Sequence, residues 1–199
     1  MYVMIRIILI SASLLLVGCA GAHTNGAEPI DIKVVNSELR KAKKALHNED
    51  IETALSITKK YAELGHAKAQ YMYGHYIYLK FYAKNYGKGM TQRIRRQEAQ
   101  AEEETLKWMI KSAEQGYVGG QSYLGGHFLE GDYMRNRKSD YVQGLMWTIL
   151  AASQSNEKDS VNAAIDQVLN NYDITEAQIK EAKRLADEWR PSSSRLKQH

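Results

Sequence analysis

Cys19 carries the only thiol in the chain. A thiolate is a nucleophile and a metal ligand, but with no second cysteine it forms neither an internal disulfide nor a Cys/His metal cluster. Other reactive residue types are present without the spacing that chemistry needs. Gly120-Gln121-Ser122-Tyr123-Leu124-Gly125 comes near a nucleophile elbow. It holds one residue too many, and it lies in a helical stretch rather than at a strand-to-helix turn. Gly87-Lys88-Gly89-Met90-Thr91 lacks the spacing of a phosphate-binding loop and reads as a surface loop. Glu102, Glu103 and Glu104 are consecutive, so on a helix they fan round the axis instead of converging as an acid/base pair. Near a helix start their negative charge is favourable. His75 and His127 come from nearly equivalent helix positions, but two histidines alone make a poor metal site. No catalytic residue, metal site or cofactor is expected, and the chain is not expected to be an enzyme.

The residues that stand out instead suit binding. Tyr71, His75, Tyr78 and Tyr82 recur at i, i+4, i+7 and i+11, which places them on one stripe of a helix over 67–84. Gln70, Tyr73, Gly74 and Ile77 form a second face, and Met72, Tyr76 and Leu79 a third. A helix so aromatic all round is usually buried, in which case the stripe packs on an N-terminal hairpin. The other reading is that the stripe lines a groove, where Tyr offers contact area and a hydroxyl at low entropy cost. Arg93, Arg95 and Arg96 form a basic cluster within 92–97, read as a solvated loop in an insertion near 80–97. Such a cluster also suits contact with anionic lipid headgroups or an acidic partner.

The elements that position these residues begin with a leader. Arg6 is the only charged side chain before Cys19, and Ile7 to Val17 is apolar apart from small Ser and Ala. That run is shorter than the roughly 20 apolar residues a bilayer span takes. A positive start, a short apolar centre and small residues at its end describe a signal peptide over 1–18. Leu16-Val17-Gly18-Cys19-Ala20 resembles the lipobox of bacterial lipoproteins. The resemblance implies cleavage before Cys19, a covalent lipid on its sulfur and a further acyl chain on its freed amine. At roughly 0.8 kcal/mol per buried CH2, several chains hold a protein firmly at a membrane. Ala20 in place of Asp implies sorting to the outer membrane, with the domain facing the periplasm.

Beyond Cys19 about 180 residues remain, enough to bury a core without disulfides. Lys and Arg number 27 against 23 Asp and Glu, too slight an excess to argue for nucleic acid. Residues 19–33 read as a lipidated flexible tether, 34–190 as one folded domain and 191–199 as a disordered tail. Only Pro29 and Pro191 interrupt a composition rich in Ala, Leu, Lys, Glu and Gln, so the domain is expected to be all-α. Helices are predicted at about 35–48, 51–64, 67–84, 97–115, 119–130, 140–154, 158–170 and 175–189. Gly65 and Gly116 suit the left-handed position after a helix, and Ser139-Asp140 and Thr175 suit N-caps.

The helices repeat. Leu106-Lys107-Trp108-Met109-Ile110-Lys111-Ser112-Ala113-Glu114-Gln115-Gly116 returns 39 residues later as Leu145 to Ser155, with Trp147 at the Trp108 position. A fainter copy lies 51 residues earlier, where Leu55, Ala62, Glu63 and Gly65 match. Gln70 and Gly74 likewise match Gln121 and Gly125. Small residues at fixed places let the helices of a hairpin approach closely, and no hairpin buries its face alone, so neighbours must stack. Gln121, Leu124, Gly125, Phe128, Gly131, Asp140, Trp147, Ala151 and Ala152 resemble one whole unit of the Sel1-like repeats, relatives of the tetratricopeptide repeat. Residues 67–116 resemble a second unit, with Tyr73 at the Leu position. Ala182, Ala186 and Trp189 resemble the helix that closes many such proteins. The loop between Gly131 and Asp140 is longer than the family's, and the cysteine pairs of one branch are absent.

This resemblance implies an α-α superhelix of antiparallel hairpins, its ends capped by 35–48 and 175–189. It also implies a binding role, with a protein or peptide partner held by Tyr71, His75, Tyr78, Tyr82, Arg93, Arg95 and Arg96. Within that role, some exported Sel1-like lipoproteins neutralise secreted toxins. The alternative is an envelope ligand such as peptidoglycan, with tyrosines stacking on sugars and arginines meeting carboxylates.

Overall fold

The structure, a computed structural model, describes residues 31–131 and 138–192. These form eight helices: α1 (Ile32–His47), α2 (Ile51–Glu63), α3 (Ala67–Asn85), α4 (Gln92–Glu114), α5 (Val118–Glu130), α6 (Tyr141–Ala152), α7 (Ser160–Leu169) and α8 (Glu176–Glu188). The signal peptide, Cys19 and most of the tether lie outside the described residues, as do 193–199.

Local chemistry sets the boundaries. The Asp31 carboxylate accepts the Lys33 N–H at 2.8 Å and starts α1 at Ile32, so the last two residues of the expected tether are helical. Gly65 (φ +90°) and Gly116 (φ +84°) take the left-handed conformation that closes α2 and α4 with no Cβ penalty. Asp140 caps α6 by accepting the Gln143 N–H at 3.0 Å. Thr175 and Gln178 form a reciprocal capping box at the start of α8. One boundary differs by more than a turn. α4 begins at Gln92 rather than 97, because Thr91 Oγ1 accepts the Ile94 N–H at 3.2 Å. Arg93, Arg95 and Arg96 therefore stand on the first turns of a helix and not in a loop.

α1–α2, α3–α4 and α5–α6 pair as hairpins, and α2 on α3 and α4 on α5 join them into one stack. Two clusters form the core. Val35, Leu39, Ala42 and Ala54 meet Met72, Tyr76 and Trp108 in the N-terminal one. Met109, Leu124, Leu145, Trp147, Ile165 and Ala182 are among the residues of the C-terminal one. Trp108 and Trp147, 39 residues apart, thus anchor successive layers. Close approach depends on small residues. A Cβ on Gly120 would lie 2.6 Å from the Ala113 backbone N, and one on Gly125 would lie 2.6 Å from Thr148 Oγ1.

α7 and α8 both pack on α6, which closes the C-terminal end of the stack. The Trp189 ring meets Trp147 edge-on at 6.1 Å. The chain then returns to the end of α4, where Ser192 donates from its backbone N (2.7 Å) and its Oγ (3.0 Å) to the Glu114 carbonyl. Pro191 and Ser192, the first two residues of the expected tail, are therefore seated against the α4–α5 turn, because that carbonyl at a helix end needs a donor.

Candidate functional site

The three faces of α3 have three different neighbours. Met72, Tyr76 and Leu79 enter the N-terminal core with α1 and α2. Gln70, Tyr73 and Gly74 face α4: Gln70 Oε1 accepts from Gln115 Nε2 at 2.6 Å, Thr105 Oγ1 donates to the Gly74 carbonyl at 3.0 Å, and Tyr73 meets Trp108 edge-on at 5.3 Å. The remaining face carries Tyr71, His75 and Tyr78, which look across an open groove of about 500 Å³ at Val118, Gly119, Ser122 and Tyr123 of α5. Three of the four stripe residues line this groove, and Tyr71 among them also packs against the N-terminal cluster that the neighbouring face enters. Gly119 makes room for it, since a Cβ there would stand 3.0 Å from the Tyr71 ring.

This groove runs into a larger cleft of about 880 Å³, the two sharing Tyr78, Ser122 and Tyr123. α4 supplies one wall through Arg95, Glu98, Ala99 and Glu102, at the i, i+3/4, i+7 spacing of a single helix face, with Arg96 at its edge. α5 supplies the other through Ser122, Tyr123, Gly126, His127 and Glu130, and Met90 also lines the space. Two stacked ring pairs face the space from opposite helices. Tyr71 and His75 have centroids 6.1 Å apart with planes 3° off parallel, and Tyr123 and His127 have centroids 6.1 Å apart at 17°.

Tyr78 sits where groove and cleft meet. Its hydroxyl donates to that of Tyr82 at 3.0 Å. Burial, then this bond, then the nearby Tyr123 and Glu98 hold its phenol far above the ordinary value, so it stays protonated. Burial also pushes the His75 imidazole down, which favours its neutral form. The groove is therefore aromatic and uncharged at its Tyr71–Tyr78 end. Charge enters only along α4 and at the end of α5.

The structure brings Tyr71, His75, Tyr78, Arg95 and Arg96 to one continuous space. It does not bring Tyr82 or Arg93 there. Tyr82 is 45 % exposed and supports Tyr78 from outside. Arg93 is exposed on α4 and is not among the residues that line the cleft. Tyr123, His127 and Glu130 were not expected as binding residues; they form the α5 wall with Ser122 and Gly126. The available signal was the Tyr-x-x-x-His spacing of 123–127, which repeats that of 71–75.

Among the described residues no group of three or more His, Cys, Asp or Glu is placed to hold a metal ion. No helix among them is long and apolar enough to cross a membrane. The fold and cleft together define an all-α protein of stacked helical hairpins with an open aromatic cleft on one side. Compared with known proteins, the chain matches no family model and no curated sequence.

Proposed function

We propose that this chain is a Sel1-like repeat lipoprotein that holds a segment of another protein in the cleft between α3, α4 and α5. A lipid on Cys19 tethers it to the outer membrane, with the repeat domain in the periplasm. The observation that carries the binding role is the continuity of groove and cleft through Tyr78, lined from facing helices by the Tyr71–His75 and Tyr123–His127 pairs. Rigid aromatic rings backed by a packed core are the residue type that dominates binding energy in protein interfaces. A neutral, partly apolar floor with charges at its rim matches the layout of such interfaces. Within this role, a general scaffold and immunity against a secreted toxin are two versions that the identity of the partner distinguishes.

Crosslinking in living cells, followed by recovery of the full-length lipidated chain, tests this reading. One dominant protein, lost with Tyr78→Ala, is the expected result. If that protein is a toxic effector, the role is immunity. Recovery of no specific protein counts against the reading and moves weight to a cell-wall ligand, for which the paired rings would serve as sugar-stacking platforms. Sedimentation with purified sacculi then decides that alternative, which is abandoned if the chain stays in the supernatant.

A further inference from the structure

The charges that border the cleft are unequal in one respect. Glu98 and Glu102 already have partners. Arg95 and Arg96 are exposed, and no hydrogen bond or ion pair among the described residues involves either guanidinium. Both lie on the face of α4 that lines the cleft, on the side opposite Tyr123 and His127. Unlike a lysine ammonium, a guanidinium presents a planar fork of donors matched to a carboxylate. Two such forks, on consecutive residues of the first turns of α4, line the same cleft as Tyr78.

We propose that the cleft recognises an acidic segment of a partner protein: a carboxylate side chain held by Arg95 and Arg96, next to an aromatic or aliphatic side chain laid on Tyr78 and Tyr123. This rests on the reading of the cleft as a protein-binding site and names the chemistry of its occupant. The carboxylates of the lining limit that chemistry. Glu130, exposed where α5 ends, and Glu98 and Glu102 on α4 set negative charge against densely anionic ligands, so a single carboxylate fits where a polyphosphate or a nucleic-acid backbone does not. The neutral floor adds the second requirement, because an ion pair alone at an exposed site contributes little.

The test uses the full-length chain in detergent against an immobilised array of peptides. Each peptide sets one tyrosine or leucine at a defined spacing from one aspartate in a serine–glycine background, with asparagine counterparts at matched positions. The expected result is a set of spacings at which the aspartate peptide binds about fivefold or more tightly than its asparagine twin. That preference should vanish in Arg95→Gln/Arg96→Gln, whose helix content and melting temperature match the parent because both side chains are exposed. Arg93→Gln should leave it intact. Tyr78→Ala should weaken both peptides of a pair alike. Equal binding of the twins, or a preference that survives the double arginine variant, overturns the carboxylate assignment. If Tyr78→Ala still abolishes capture of the cellular partner, the binding role stands without it. Binding to sacculi or phosphatidylglycerol vesicles with no preference on the array overturns both.

Discussion

Gln115 donates its side-chain amide to Gln70 Oε1 at 2.6 Å, and Gln154 makes the same bond to Gln121 Oε1 at 2.6 Å. Each pair ties the first helix of a hairpin to the end of the second. Gln70 also donates to the Ala62 carbonyl at 3.2 Å, so one buried side chain links α2, α3 and α4. Gln70→Leu keeps the bulk and removes both bonds. It should destabilise the fold by about 2 kcal/mol, since buried partners are left unpaired. Urea denaturation followed by circular dichroism measures this, and a variant as stable as the parent would show the pair to be incidental.

Two glycines six residues apart should respond in opposite directions. A Cβ on Gly120 meets the backbone of Ala113, which cannot rotate away, so Gly120→Ala should cost about 1–3 kcal/mol through overpacking. Gly126 has nothing within 4 Å of an added Cβ. Gly126→Ala should stabilise α5 by up to about 1 kcal/mol through helix propensity. Melting temperatures of the two variants check the contrast. A loss in both would mean that α5 tolerates no added methyl anywhere.

His66 is buried and caps α3: its Nδ1 accepts the Ala69 N–H at 3.2 Å. Burial, reinforced by the Lys68 charge, lowers its pKa. A histidine whose folded value lies below its unfolded value favours folding in the neutral form. The stability it supports is complete above the unfolded pKa of about 6.5 and is lost as pH falls from there toward the folded value. His75, also lowered by burial, acts in the same direction. Carboxylates with lowered values, such as Asp50 hydrogen-bonded by Thr53, lose their contribution only below about pH 4. The melting temperature should therefore begin to drop below about pH 6.5. His66→Asn, which keeps a capping acceptor that does not titrate, should flatten that limb. An unchanged pH profile in this variant would assign the effect elsewhere.

Tyr78 and Tyr82 share a hydrogen bond, but only Tyr78 lines the cleft. Tyr78→Phe retains the ring and should bind a partner nearly as the parent does. Tyr78→Ala should lose about 2 kcal/mol of binding, the scale of an aromatic anchor. Tyr82→Ala should fall between them. Equal effects of Tyr82→Ala and Tyr78→Ala would mean that the outer surface of α3, not the cleft, makes the contact.

The hairpin architecture was legible because it rests on short-range rules. Gly65 and Gly116 mark turns that need a positive φ, Asp140 and Thr175 are side chains that cap, and Trp108 and Trp147 repeat at a fixed interval. The start of α4 was not legible. Residues 92–97 show almost no apolar periodicity, because Ile94 is the one apolar side chain there and the start is set by the Thr91 cap. His66 was missed as a cap since it works through an imidazole nitrogen instead of the usual oxygen. Half of the candidate site was visible as the Tyr71–Tyr78 stripe. The other half carried only the Tyr-x-x-x-His spacing that 123–127 shares with 71–75, and such a wall becomes a site only when stacking sets α5 opposite α3, a long-range relationship.

The central claim is that a partner protein occupies the space around Tyr78. Site-specific photocrosslinking tests it most directly, with a photoreactive residue placed singly at Ser122, inside the cleft, or at Tyr86, 90 % exposed and outside it. In living cells, Ser122 should yield one discrete protein adduct that Tyr86 does not. No adduct at Ser122, or the same adducts at both positions, would contradict it.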